Sequence, residues 1–393
     1  MKDFGLELMN YDTDTNGGKF VSRVVEEALK DKTMRLAGYD GFINKNSDIE
    51  KVVIIHHNDL DGFASAANVA DIALTNINGC SVELHSVDYL TAFDIEWFKP
   101  FDTTEVWMVD YSLSNIDNLN MVLNLPEVSK KHLVWIDHHQ TSMEIKEPGI
   151  CEINGFVGDY KLSSAVQVEI YLQALYEFIE PMGSYSSIPP FLRYVSDWDT
   201  FSHAKRANGK ETIRFKYGVQ AVWKKDFAEI ITNRHISKQW KMALWEDRRT
   251  SSIMIQDLIR TGDMIYQYVE SENARTQAMG TDLTFKFGGE TYSVRAVNSR
   301  GNSLSFGDYY DTRDLCCMFF YDMKRDVYTY SIYSKYMDGS KISKFFGGGG
   351  HPGASGFSLK INMFKQTYTD DAGSKILDLN FINTLINISG KEA

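Results

Sequence analysis

Three segments of the chain carry an unbroken apolar run that ends abruptly in acidic and imidazole side chains: KVVIIHHNDLDG at 51–62, EVWMVD at 105–110 and KHLVWIDHH at 131–139. The runs Lys51–Ile55, Val106–Val109 and Leu133–Ile136 are apolar with little or no polar alternation, the pattern of strands buried on both faces of a sheet. Helical periodicity follows in DGFASAANVADIAL and in SSAVQVEIYLQALYEFI, and the small residues of the first suit close packing on a sheet. Strands alternating with helices imply crossover connections and a parallel sheet, with ligands gathered beyond the carboxyl ends of the strands. All three chemical clusters fall at those ends.

Elsewhere the pattern changes. Residues 1–50 are polar, with one short helical candidate over VSRVVEEALKDKTM. After a fourth acidic segment, YVSDWDTF at 194–201, helical spacing dominates, most strongly over 236–279. From about 281 the texture is strands and turns, through TFKFGGETYSVRAVNS, DLCCMFFYDMKRDVYTYSIYS and KISKFFGGGGHPGASGFSLKI. A closing helix is predicted over SKILDLNFINTLIN, with Ile376, Leu379, Leu385 and Ile386 among its apolar positions. The expected division is an N-terminal extension (1–50), an α/β parallel-sheet catalytic domain (51–205), a helical connector (206–280) and a smaller α/β C-terminal domain (281–393).

Composition narrows the classes. With 393 residues, 13% of them aromatic and 24% charged, the chain has the make-up of a compact globular enzyme. The opening residues lack a basic start followed by an apolar run, and no stretch approaches the roughly 20 apolar residues of a membrane span. Cys80, Cys151, Cys316 and Cys317 show no paired spacing for zinc or a disulfide framework. A cytoplasmic protein with reduced cysteines is expected. A net charge of −12 argues against a protein that coats long nucleic acids, though not against an enzyme that grips one chain end.

The strand-end clusters carry the chemistry. His57-Asn58-Asp59-Leu60-Asp61-Gly62 offers one imidazole and two carboxylates at alternate positions, which share a face in extended backbone; Gly62 then permits the turn into a helix. Asp110 ends the second strand and His138 the third. A lone HxDxDG is equally a solvated turn, and DHH alone an ordinary loop; three such clusters after three buried strands point to a metal site. Mixed imidazoles and carboxylates suit Mn²⁺, with Mg²⁺ or Co²⁺ as substitutes, and argue against thiolate zinc.

In these motifs the chain resembles the DHH phosphoesterases, which include RecJ-type exonucleases, nano-RNases and cyclic-dinucleotide phosphodiesterases. HNDLDG is similar to the first motif of that family, VDYS to the second, IDHH to the third and SDWDTF to the fourth. GGGGHPGASGF resembles the glycine-rich signature of the DHH-associated C-terminal domain. The resemblance covers roughly 51–205 and 281–360, and is nearest to short members like bacterial oligoribonuclease B. It implies a two-domain fold with the active site in the cleft between the domains, and a pair of ions. One ion would be held by His57, Asp59 and Asp110. The other would be held by Asp61, Asp110, His138 and Asp197, with Asp110 bridging and Asp199 the alternative to Asp197. His139 would face the scissile phosphate, and Asp137 would support the loop from behind.

The same resemblance makes Gly348, Gly349, Gly350 and His351 a clamp for a nucleotide or terminal phosphate; glycines also allow backbone amides to approach an anion closely. A flexible loop is the plain alternative. Relatives commonly carry an arginine in the strand just upstream, where this chain has Tyr333. Tyr333 would stack on a base or simply pack in its strand, with Lys335 or Arg295 supplying the missing charge. The implied activity is metal-dependent hydrolysis of short or single-stranded RNA or DNA oligonucleotides to nucleoside monophosphates, with Asp110 and His139 central to catalysis. The alternatives are a phosphodiesterase for cyclic or linear dinucleotides or 3′-phosphoadenosine-type nucleotides, an inorganic pyrophosphatase and a non-catalytic scaffold. No membrane partner is expected, and oligomerisation is left open.

Overall fold

The computed structural model describes residues 3–10, 14–39, 41–43, 48–88, 94–98, 103–113, 116–125, 132–145, 153–179, 181, 185–223, 229–232, 235–244, 248–323, 325–360, 367–369 and 375–377. The chain divides into two compact units, Met1–Tyr266 and Gln267–Ala393.

The first unit is built on a sheet of β1 (Met34–Arg35), β2 (Lys51–His57), β3 (Ser81–Val87), β4 (Thr104–Val109), β5 (Leu133–Asp137) and β6 (Asn154–Val157), in the order β1-β6-β5-β4-β2-β3. Every pairing is parallel except that of β1 with β6. The helices are α1 (Gly5–Leu8), α2 (Asp14–Lys30), α3 (Leu60–Asn76), α4 (Ile116–Leu123), α5 (Gln140–Glu144), α6 (Ser164–Ile179), α7 (Pro190–Asp199), α8 (Gly209–Val222), α9 (Lys238–Leu244) and α10 (Arg248–Met279), the last reaching into the second unit. A two-residue ribbon, β7 (Ile231–Thr232) with β8 (His235–Ile236), precedes α9.

Alternation along the central strands explains their unbroken apolar runs. Val52, Ile54, Trp107, Val109, Val134 and Ile136 enter one core, shared with α2, α3, α6 and α7. Val53, Ile55, Val106, Met108, Leu133 and Trp135 enter another, closed by Phe98 and by Leu119, Val122 and Leu123 of α4. Neither face meets water, so neither carries the polar half of an amphipathic strand. The first core also takes Phe4, Phe20, Val21 and Val24 from the N-terminal residues, and Phe215, Trp240, Ile255 and Leu258 from α8, α9 and α10. The chain leaves β2 for β3 on one side and returns for β4 on the other. The crevice between the carboxyl ends of β2 and β4 is therefore the topological switch point, where open α/β sheets bind ligands.

The second unit holds a sheet ordered β13-β14-β12-β11-β10-β9, from β9 (Thr281–Phe287), β10 (Glu290–Asn298), β11 (Leu315–Asp322), β12 (Val327–Tyr333), β13 (Gly349–His351) and β14 (Ala354–Lys360). Only β10 and β11 pair in parallel. Helices α11 (Tyr309–Thr312) and α12 (Ser340–Phe345) belong to this unit. The closing helix expected at 374–387 is corrected in part. Residues 375–377 form β16 (Lys375–Leu377), paired with β15 (Thr367–Thr369), because backbone pairing there prevails over helical spacing. The remainder of that segment, like Cys151, lies outside the described residues. Cys80, Cys316 and Cys317 are free thiols. Among the described residues no helix is long and apolar enough to cross a membrane.

Candidate metal centre

Strand β2 runs two residues further than its apolar core, to His57, and α3 begins at Leu60. His57, Asp59 and Asp61 therefore converge through a strand-to-helix turn and not through alternation along one extended segment. Asp59 is the N-cap of α3, accepting from the Gly62 amide at 3.0 Å, while its other oxygen meets His57 Nδ1 at 2.9 Å. Gly62 is needed for close approach: a Cβ there would lie 2.1 Å from the His57 carbonyl oxygen. Asp61, one residue into the helix, accepts from the Ser164 and Ala165 amides at 2.8 and 3.0 Å. Its carboxylate thus caps the N-terminus of α6, an arrangement that favours negative charge.

Asp110 follows β4 with φ +54°, a left-handed conformation that costs a non-glycine residue about 1 kcal/mol or more. The bend points its carboxylate to the switch point, where the side chain is 2% exposed. His138 Nε2 lies 3.4 Å from Asp110 Oδ1, 3.1 Å from Asp199 Oδ2 and 3.7 Å from Asp61 Oδ2. Behind the pair of histidines, Asp137 accepts from the backbone amides of His138 and His139, from Ser142 Oγ and from His139 Nδ1 at 2.7 Å. Within the first unit three donor groups emerge, each with ligand atoms within 4.8 Å of one another: His57, Asp59 and Asp110; Asp61, His138 and Asp199; Asp110, Asp137 and His139.

One residue read from the sequence is corrected. Asp197 does not face this site. Its carboxylate is fully buried against Arg206, whose Nε donates to Oδ1 at 2.9 Å and whose terminal nitrogen donates to Oδ2; Thr212 Oγ1 donates to Oδ2 at 2.5 Å. Asp197 and Asp199 lie two apart near the end of α7, about 200° around a helix, so only one can turn to the strand ends. That one is Asp199. Sequence reasoning also missed Arg206 and Thr212 as the partners of the other carboxylate, and the amides of α6 as the cap of Asp61. The serine pair at 163–164 just before a helical pattern was the available signal for the latter.

Electrostatics mark the centre as unsatisfied. Burial, then Asp199 and Asp59 nearby, pushes Asp61 up to about 6. Burial, with Asp61 and Asp59 adding repulsion, drives Asp110 well above the carboxylate range. Burial works against the charge of His138, yet Asp110 and Asp199 outweigh it and raise its pKa well above the usual imidazole value. Burial opposes ionisation of Asp59 and Asp137 too, but His57 holds the first far down and His139 holds the second to about 2. Among the described residues neither oxygen of Asp110 has a hydrogen-bond partner, although both are buried. The imidazoles of His138, His139 and His57 stand 3.4, 3.9 and 4.0 Å from it, and a buried carboxylate with no hydrogen bond is costly unless positive charge compensates it. The donor set fits divalent ions.

In the second unit the groups read as substrate contacts are largely engaged already. Arg295 is corrected: it is 7% exposed, donates to the Gln277 carbonyl at 2.6 Å, lies 3.3 Å from Asp282 and stacks on Tyr309 at 4.0 Å. Burial in β10 ties it to its own sheet and does not present it to a ligand. Lys335 pairs with Asp311 at 2.5 Å. The Tyr333 hydroxyl donates to the Gly301 carbonyl at 2.9 Å, and its ring packs on Phe306. Gly349, Gly350 and His351 form the edge strand β13 against β14. A Cβ at Gly348 would sit 2.0 Å from the Gly356 carbonyl oxygen, so close strand approach alone requires that glycine.

No family model matches the chain, and no curated protein matches it. Among solved structures, RecJ from Thermus thermophilus in complex with Mn²⁺ aligns over 95% of this chain and 54% of its own, at 14% identity and a TM-score of 0.46. A manganese-bound exonuclease RecJ aligns over 96% and 95%, at 14% identity and TM-score 0.43. A pGpG-specific phosphodiesterase, PggH, from Vibrio cholerae aligns over 88% and 100%, at 13% identity and TM-score 0.39. The likeness is remote, and this chain spans about half the length of the Thermus protein.

Proposed function

We propose that this chain is a divalent-metal-dependent phosphodiesterase of the DHH type, releasing nucleoside monophosphates from an end of short or single-stranded oligonucleotides. The observation that carries the reading is Asp110, a buried carboxylate on left-handed backbone with neither oxygen hydrogen-bonded among the described residues. It lies at the switch point between two donor groups. His57, Asp59 and Asp110 would hold one ion; Asp61, Asp110, His138 and Asp199 would hold the second, with Asp199 in the place read for Asp197. Mixed imidazole and carboxylate donors favour Mn²⁺ over Mg²⁺.

When bound, such a pair of ions activates water and offsets charge on the phosphoryl oxygens. The chain's own residues do the rest. Asp137 accepts a hydrogen bond from His139 Nδ1, fixing the tautomer and directing Nε2 away from the loop. From there His139, when doubly protonated with Asp137 stabilising the imidazolium, would donate its Nε2–H to a phosphoryl oxygen or to the leaving 3′-oxygen. Asp59 and Asp61, capping α3 and α6, have little rotational freedom, so the donors are set in place before substrate arrives. Gly348, Gly349, Gly350 and His351 are proposed to contact the nucleotide, with Tyr333 beside them.

The test is hydrolysis of end-labelled di-, tri- and longer RNA and DNA oligomers, with cyclic dinucleotides and pyrophosphate alongside, in Mn²⁺ and after chelation. A ladder descending by single nucleotides supports the reading. Turnover confined to dinucleotides moves the substrate to the phosphodiesterase alternative, and phosphate released from pyrophosphate alone rejects both.

A further inference from the structure

The proposed site makes no use of the exposed face of α10. Four large apolar side chains stand on it: Ile253, Met264, Tyr268 and Met279, exposed by 54%, 69%, 67% and 64%. One such residue needs no explanation, but their placement does. With Ile253 at zero and about 100° per residue, the others fall at about 20°, 60° and 80°, a single stripe down one side of the helix. They are also symmetric in sequence, because 253 and 279, like 264 and 268, are equidistant from position 266.

We propose that α10 pairs with α10 of a second copy of this chain, antiparallel, about a two-fold axis level with residue 266. That operator sets Ile253 opposite the partner's Met279 and Met264 opposite the partner's Tyr268. It makes a further demand, since groups on the same side of the stripe and equidistant from 266 must complement one another. Asp257 and Arg275 satisfy both conditions, at about 40° each. Within one chain Asp257 pairs with Arg260 at 2.6 Å and Arg275 with Glu272 at 2.8 Å, so the dimer would join two existing ion pairs into one network on each side of the axis. A mixed seam of this kind encodes orientation as well as attraction, because parallel pairing would set Asp257 against the partner's Asp257.

The seam from 253 to 279 is about 39 Å long and one helix wide, a footprint of roughly 400 Å² per partner. That is below the roughly 800 Å² per partner of a standard stable interface, so the dimer is reversible with a micromolar dissociation constant.

Sedimentation of the full chain from about 1 to 200 μM, a range that brackets such a constant, tests it. The intact chain shifts from monomer to dimer across that range. Asp257→Arg and Arg275→Asp each raise the dissociation constant about tenfold or more, and the double exchange D257R/R275D restores it, because the reversed charges again face each other across the axis. Circular dichroism confirms that each variant keeps its helix. A chain that stays monomeric throughout, a dimer indifferent to both single reversals, or a double exchange that fails to recover would each overturn the pairing. Mn²⁺-dependent hydrolysis is assayed separately, so failure here leaves the proposed activity untouched.

Discussion

The strand ends of the first unit and the strand-rich second unit treat charge in opposite ways. At the strand ends, carboxylates of Asp61 and Asp110 are buried beside one another with their pKa values raised, a concentration of like charge that suits divalent cations. In the second unit Arg295 and Arg313 share Asp282 and Lys335 pairs with Asp311, so these three cations are already engaged. A region that stores electrostatic cost declares its ligand. One that is self-satisfied does not. The chemistry of this protein is therefore far more legible than its substrate.

The largest effect expected on the strained side comes from Asp110→Asn. Turnover falls by about 10⁴-fold or more on every substrate, equivalent to about 5.5 kcal/mol. At pH 8 without metal, the same variant melts at or above the temperature of the parent, since it removes a buried charge and asparagine tolerates left-handed backbone. Mn²⁺ then adds little to its melting temperature. A variant that loses activity and stability together would show that Asp110 is structural.

Next come the two carboxylates of α7. Asp197→Asn strands Arg206 without its buried partner and costs about 3 kcal/mol or more of stability, read by denaturant unfolding. Asp199→Asn leaves stability within about 1 kcal/mol but lowers Mn²⁺ uptake from two ions to one in a calorimetric titration. If the outcomes are exchanged, the original reading of Asp197 as ligand was right.

These residues also show what the sequence discloses and what it withholds. Both-face burial made β2, β4 and β5 plain, because no polar residue interrupts them, and the parallel sheet followed. The donors at their ends were legible for the same reason. Asp197 was not, since SDWD offers two carboxylates and only the rotation of α7, set by Arg206 arriving from beyond a tight turn, decides between them. Nor did the polarity of residues 1–50 disclose that Phe20, Val21 and Val24 are fully buried: one helical stripe suffices to join a core. Arg295 misled because a charged residue in a strand reads as functional until its partners, Gln277 and Asp282, are seen.

A smaller effect follows from pH. Between roughly pH 4 and 6 the folded chain keeps a proton on Asp61 that the unfolded chain has released, so metal-free stability falls as pH rises through that window, by about 1–3 kcal/mol. Metal must displace the same proton, so Mn²⁺ affinity weakens as pH drops below about 6. Chelated protein should thus unfold at a higher denaturant concentration at pH 5.5 than at pH 8, and Mn²⁺ should stabilise it more at pH 8. Opposite slopes would mean that Asp61 is ionised throughout and held by the α6 amides alone.

The smallest effect sharpens the reading of the quiet side. His351 ends β13 opposite Ala354, at an edge strand, and its imidazole is half-buried. If it contacts substrate, His351→Ala raises KM about tenfold, roughly 1.4 kcal/mol, while kcat and Mn²⁺ stoichiometry hold. Arg295→Gln is the matched control. It breaks the bond to Gln277, the ion pair with Asp282 and the stacking on Tyr309, so it lowers stability by about 2 kcal/mol yet leaves KM unchanged. Substrate recognition would then rest on His351 and not on Arg295. A rise in KM for Arg295→Gln that exceeds the rise for His351→Ala would reverse that assignment.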